Sequence, residues 1–138
     1  MNTFESSLNR YVLHDTVITS AKINDGSVSF VFEQGVFFQS LTPLALNRTG
    51  SCSMHLYIRD FDKNSLYQNI DIKAIDNGYI SDMSFDELLK SIEKGGLRIY
   101  LDYYSFFAKS IFIIGNTEDF EFEITVTDIE KIDFTLQY

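Results

Sequence analysis

Two runs of alternating side chains, residues 17–24 and 28–38, meet at Asp25-Gly26, and this pairing constrains the fold more than any other feature of the 138-residue chain. Alternation with a period of two presents one row of side chains to a core and the other to water, as a strand does and a helix cannot. Asp-Gly supplies the positive φ that a tight type I′ turn needs at its central positions, so the two runs are expected to form a hairpin. In the second arm Val28, Phe30 and Phe32 point one way, and Ser27, Ser29, Val31 and Glu33 the other. The first row is assigned to the core. Gly35 marks a bulge or bend before Val36, Phe37 and Phe38.

The same pattern recurs along the chain. Residues 52–61 and 66–75 read as a second hairpin joined by Asp62-Lys63-Asn64-Ser65, and residues 97–104, 110–115, 119–127 and 130–137 read as further strands, with turns at Gly115-Asn116-Thr117 and Asp128-Ile129. Residues 39–51 hold Pro43, Asn47, Arg48 and Gly50 and are expected to be a long loop with one helical turn. One helix is well signalled, at 85–94: Ser84 and Glu87 make a capping box, Phe85, Leu88, Leu89 and Ile92 an apolar stripe, and Gly95-Gly96 the stop. The spacing of Phe4, Leu8, Tyr11 and Val12 suggests a short helix at 4–12. With 13 Phe, 8 Tyr and a single Pro, the composition favours strands. The expected fold is mainly β, of α+β character: one domain, 1–138, in which about eight antiparallel strands form a barrel or sandwich with the helix at one end or face.

Charge removes several functional classes. Asp and Glu number 20 against 11 Lys and Arg, a net charge of −9. Such a field repels nucleic-acid backbones and anionic lipid, so no direct nucleic-acid partner and no membrane is expected. Cys52, the single cysteine, cannot form an intramolecular bridge, and no CxxC or Cys/His cluster suggests structural zinc. The start of the chain lacks a basic stretch leading into an apolar one, which favours a cytoplasmic protein. No glycine-rich phosphate loop opens a helix, and no cofactor or metal is expected. Asp60-Phe61-Asp62-Lys63-Asn64 opens like a calcium loop, but Ser65 stands where the sharp turn needs Gly and Asp71 where a bidentate Glu belongs.

Three groups of residues could carry function. His14-Asp15 has the composition of a general base and its orienting carboxylate, yet adjacent residues on extended chain point apart, and the other histidine, His55, lies mid-strand among apolar neighbours. In the 119–127 strand Phe120, Phe122, Ile124 and Val126 are assigned inward, so Asp119, Glu121 and Glu123 line up outward. Their spacing, about 6.6–6.8 Å for two-residue steps, is close to the roughly 7 Å between successive phosphates along a DNA strand. Such a ladder could dock on a basic protein, or it could keep an exposed face soluble. Around Tyr100, if Leu97, Ile99, Leu101 and Tyr103 face the core, then Arg98, Tyr100, Asp102 and Tyr104 share the opposite face, a mixture common at interfaces.

Tyr11-Val12-Leu13-His14-Asp15, followed by the strand at 17–23 and the Asp25-Gly26 hairpin, resembles the start of small uncharacterised bacterial domains of the toxin-immunity-protein type, over about 25 residues. The resemblance implies a cytoplasmic single-domain protein that binds and blocks a cognate toxin, and it transfers no catalytic residue. The leading expectation is a non-enzymatic acidic binding module, an inhibitor or immunity protein for a basic partner such as a toxin or nucleic-acid enzyme. It would bind through Asp119, Glu121, Glu123, Tyr100, Asp102 and Tyr104. The alternatives are a barrel or sandwich holding a small apolar ligand, a structural or oligomerising protein, and an enzyme using His14, Asp15, His55 or a nearby tyrosine.

Overall fold

A computed structural model describes residues 11–41 and 44–136 of the chain. In order, the described residues form β1 (Tyr11–Val12), β2 (Val17–Ile18), β3 (Ser20–Asn24), β4 (Ser27–Phe32), β5 (Phe37–Leu41), β6 (Leu44–Arg48), β7 (Cys52–Ile58), β8 (Ile70–Asp76), β9 (Tyr79–Asp82), α1 (Phe85–Ile92), β10 (Leu97–Ser105), β11 (Ser110–Asn116), β12 (Glu121–Val126) and β13 (Ile129–Leu136), with a short 3-10 turn at Leu66–Gln68. The protein is therefore mainly β. All strand pairings are antiparallel, in a six-stranded sheet ordered β2-β10-β11-β12-β8-β9, a four-stranded sheet ordered β13-β7-β4-β3 and a three-stranded sheet ordered β1-β5-β6. None of the three closes into a barrel, and the strand segments outnumber the eight expected: the runs 17–24 and 28–38 each split between two sheets, and β1, β6 and β9 form where no strand was expected.

Corners in the chain tie the two larger sheets together. β2 pairs with β10, while β3, one residue later, pairs with β4; at the corner the Thr19 N–H donates to the Val31 carbonyl at 2.8 Å. The β12–β13 corner uses Asp128 at φ +56°. Its carbonyl accepts from the Arg59 N–H at 2.8 Å, and the Ile129 N–H donates to the Lys109 carbonyl at 2.9 Å. Phe30, Phe32, Met54, Leu56 and Ile132 of the smaller sheet and Ile72, Ile99, Ile113, Phe122 and Ile124 of the larger one belong to one continuous core. Phe85, Leu88 and Ile92 of α1 join it, so the helix lies on the core side and leaves the outer face of the six-stranded sheet uncovered. Its capping box is formed as expected: Glu87 N donates to Ser84 Oγ, and Ser84 N to Glu87 Oε1, both at 3.1 Å.

The Asp25-Gly26 hairpin is present, with Asn24 opposite Ser27; Gly26 is at φ +80° but Asp25 is not at positive φ, so the turn is not the expected type I′. Other expectations are corrected. The expected second hairpin does not form, because β7 pairs with β4 and β13 whereas β8 pairs with β12 and β9. Alternation sets which face of a strand is buried, and it is silent on which strand lies alongside. Met54 and Ile72 meet the same core from opposite sheets. β8 instead makes its hairpin with β9 across Asn77-Gly78, at φ +50° and +84°, the same type of two-residue turn signal as Asp25-Gly26. The expected loop at 39–51 gives way to β5 and β6, which pair with Leu41 opposite Leu44, backbone pairing having overridden the loop-like composition. Of the helix expected at 4–12, Tyr11 and Val12 are strand β1, opposite Phe38 and Phe37; the remainder lies outside the described residues.

Candidate protein-binding face

On β11 and β12 alternation holds without interruption. Ile111, Ile113, Phe122, Ile124 and Val126 are buried, which leaves Phe112, Ile114, Glu121, Glu123 and Thr125 on the outer face, each partly exposed. On β10 it does not hold. Ile99 sits opposite Gly115 and Leu101 opposite Ile114, so Tyr100 is one residue too many for the ladder and forms a β-bulge. Beyond a bulge the inside and outside rows exchange. Leu101 and Tyr103, assigned inward from the sequence, are 48% and 66% exposed, while Asp102 and Tyr104 turn toward the core side, opposite Ile113 and Ile111. The expected grouping of Tyr100, Asp102 and Tyr104 on one face is thus corrected: Tyr100 is exposed at the bulge and the other two lie on the inner row.

The registers place the outer side chains in rows across the sheet. Tyr103, Phe112, Thr125 and Asp71 form one row, and Leu101, Ile114, Glu123, Lys73 and Asp82 the next. An apolar stripe on β10 and β11 therefore abuts a charged strip on β12, β8 and β9. The stripe runs on to the β10–β11 hairpin tip, where Phe106 and Phe107 are 45% and 96% exposed with ring centroids 5.8 Å apart. Exposed apolar surface collected in this way marks an interaction site more often than scattered residues do.

Glu121 and Glu123 have no ion-pair partner within 4.0 Å among the described residues. Lys73, opposite Glu123, is already engaged: its ammonium lies 2.8 Å from Asp82 and 3.6 Å from Asp71, and these contacts hold its pKa above the ordinary lysine range. Asp119, expected in the same ladder, precedes β12 and is used elsewhere. It accepts from Ser91 Oγ and Lys94 Nζ, both at 3.2 Å, joining α1 to the turn before β12. Thr117 Oγ1 completes this joint at 2.5 Å from Ser91 Oγ.

Asp102 is half-buried, and that burial pushes its carboxyl above the ordinary value of 3.8, with His14 acting in the opposite direction. Below that ordinary value the carboxyl is protonated in folded and unfolded chains alike. As pH rises, the unfolded carboxyl ionises first, and the native state loses relative stability until the folded pKa is passed. Asp102→Asn should therefore raise the melting temperature near neutral pH, with a gain that shrinks toward pH 3. A thermal scan at several pH values showing a pH-independent difference would contradict the assignment.

The histidines serve other arrangements. His14 lies 3.5 Å from Asp15 on a turn where both side chains are more than half exposed. His55 belongs to the outer face of the four-stranded sheet, in register with Ser29 and Asp133. Asn24 Nδ2 donates to Ser29 Oγ at 2.9 Å, Ser29 Oγ lies 2.6 Å from His55 Nδ1, and His55 Nε2 is 3.0 Å from Thr135 Oγ1. A Ser–His pair is the start of a nucleophile and its base, but the second ring nitrogen then needs an orienting carboxylate. Here a hydroxyl takes that place, Asp133 accepts from the Phe134 N–H at 3.1 Å instead, and Ser29 is 5% exposed. The chain of hydrogen bonds clasps four strands.

In the loop that opens like a calcium site, Asp62 Oδ1 accepts from Asn64 N and Lys63 bonds Asp25, each at 2.9 Å, while Asp71 is on β8. No group of three or more His, Cys, Asp or Glu is placed to hold a metal ion among the described residues. One surface groove of about 200 Å³ lies between α1 and β12, lined by Met83, Ser91 and Phe120 among others. Among the described residues no helix is long and apolar enough to cross a membrane. No protein-family model matches this chain, and no curated protein or solved structure does.

The apolar stripe escaped the sequence because nothing in Ile99-Tyr100-Leu101 signals an extra residue. The exposed Phe106-Phe107 tip did have a signal, since these two lie between the ends of the expected strands 97–104 and 110–115.

Proposed function

We propose that this protein is a non-enzymatic binding module, of the inhibitor or immunity kind, that meets a basic protein partner with the outer face of its six-stranded sheet. The support for this reading is one juxtaposition: two carboxylates, Glu121 and Glu123, without an ion-pair partner among the described residues, beside an exposed apolar stripe on the same face. A protein partner offers cations to the carboxylates and apolar groups to the stripe, and its approach is hastened by the net charge of −9. The scaffold for this role is an open sandwich, the six- and four-stranded sheets facing each other across the shared core.

The reading predicts salt-sensitive association. A partner captured from the source cells should lose about tenfold or more in affinity between low salt and 0.5 M salt, because exposed charges are screened beyond roughly 10 Å at 0.1 M and 3 Å at 1 M. Glu121→Gln with Glu123→Gln should reduce affinity severalfold at low salt and little at high salt, with the circular dichroism spectrum unchanged. Calorimetric titration showing identical binding by the variant at both salt levels removes these carboxylates from the interface.

A further inference from the structure

In a chain of net charge −9, residues 103–117 carry no carboxylate, and Lys109 is their single charge. This segment is the end of β10, the hairpin tip and the whole of β11, and it holds Tyr103, Phe112 and Ile114 of the outer stripe and Phe106 and Phe107 at the tip. Phe107 is 96% exposed. Leaving two phenyl rings in water at a hairpin tip costs solubility and adds nothing to the core, so their use lies outside the monomer. Resting on the binding role proposed above, we infer that the β10–β11 tip is the anchor of that interface, with Phe106 and Phe107 entering an apolar pocket of the partner whose rim is basic and faces Glu121 and Glu123.

Charge decides among the possible occupants. A second copy stacked on this face would bring Glu121, Glu123, Asp71 and Asp82 against the same four residues. A bilayer that accepted the stripe as far as Leu101 would draw Glu123, one strand beyond Ile114 in the same row, into the headgroup layer without a counter-ion. A protein with an apolar pocket and a basic rim satisfies both halves of the face. Two kinds of contact then divide the work: buried aromatic anchors set the lifetime of the complex, and the carboxylates set its rate of formation.

Two synthetic probes test this, a fluorescent peptide of alternating Lys and Leu and its counterpart of alternating Lys and Ser, titrated at low salt and at 0.5 M salt. The chain should bind the Lys/Leu peptide more tightly at both. F106S/F107S should lose about 10- to 100-fold toward the Lys/Leu peptide at either salt, as hot-spot truncations do, and nothing toward Lys/Ser. E121Q/E123Q should lose affinity for both peptides at low salt alone. Equal binding of the two peptides, or unchanged binding by F106S/F107S, overturns the anchor. So does sedimentation of the native chain, but not F106S/F107S, with phosphatidylcholine vesicles, or a dimer in analytical ultracentrifugation that F106S/F107S abolishes. If F106S/F107S behaves as expected while E121Q/E123Q binds as the native chain does, the anchor stands and the acidic half of the proposed interface falls.

Discussion

Phe30→Ala should destabilise the protein by about 3–5 kcal/mol, as truncation of a fully buried aromatic does. Phe30 is wholly buried at the middle of β4, flanked in register by Ala21 of β3 and Met54 of β7. Part of the loss is transfer free energy. The rest is the cavity, which β7 cannot close because its ladder with β13 holds it on the far side. Domains of this size commonly have about 5–15 kcal/mol in all, so the variant should melt roughly 10–20 °C lower, at about 4 °C per kcal/mol. Phe107→Ala makes the control, since an exposed ring contributes within about 0.5 kcal/mol of zero. Chemical denaturation of the two variants reads the difference directly; a Phe30→Ala loss below about 1 kcal/mol would contradict the packing described.

Gly35→Ala should cost about 3 kcal/mol or more, far beyond an ordinary surface change. Gly35 sits at φ +77°, where a side chain is strained by roughly 1–3 kcal/mol. A Cβ there would also land on the Thr49 carbonyl oxygen, with the Gly50 carbonyl 2.6 Å away. Neither can retreat freely. The Thr49 N–H donates to the Val36 carbonyl at 2.8 Å, and the Val36 N–H donates to Thr49 Oγ1 at 3.0 Å. This cross-link holds the approach to β5 against the end of β6, so the substitution should loosen the three-stranded sheet first. Hydrogen exchange at Val36 and Thr49 should quicken before the rest of the chain melts. Exchange that is unchanged there, with a normal melting temperature, would show that the backbone absorbs the methyl group.

Asp25-Gly26 marked its hairpin correctly; Asn77-Gly78 carries the same kind of signal and went unread, and the β5–β6 hairpin turns over two residues without one. Gly26, Asn77 and Gly78 sit at positive φ, where their backbone freedom is used, whereas Asp25 does not. The capping box placed α1 to within a residue at its start, since Ser84 and Glu87 satisfy each other's backbone without help from the rest of the fold. Burial on β11 and β12 followed alternation alone, while on β4 Ser27 and Ser29 of the other row are buried as well as Val28, Phe30 and Phe32. These features are local, or depend on a period that the pleat itself imposes.

Partner choice was different. Nothing in residues 52–61 or 66–75 could separate a shared hairpin from two strands in different sheets, because both arrangements bury Met54, Leu56, Ile72 and Ala74 equally well. The candidate face depended on such choices twice. Glu121 and Glu123 point outward in any register that buries Phe122 and Ile124, so their orientation was already set by the chain. Asp119 left their row because α1 brings Ser91 and Lys94 to it, a contact between residues more than 20 positions apart in the chain. The identity of the apolar stripe turned on the bulge at Tyr100, which exists because β10 must meet β11 on one side and the segment ahead of β2 on the other. The Asp15 N–H donates to the Ile99 carbonyl, and the Ile99 N–H to the Thr16 carbonyl, both at 2.8 Å. By itself the sequence determined most of the longer strands, the Asp25-Gly26 hairpin, the start of α1 and the surplus of negative charge, all properties of near neighbours and composition. Only the tertiary structure decided which strands adjoin and which way Leu101, Asp102, Tyr103 and Tyr104 point, because one unpaired residue reverses every side chain after it and only the flanking strands determine where that residue goes.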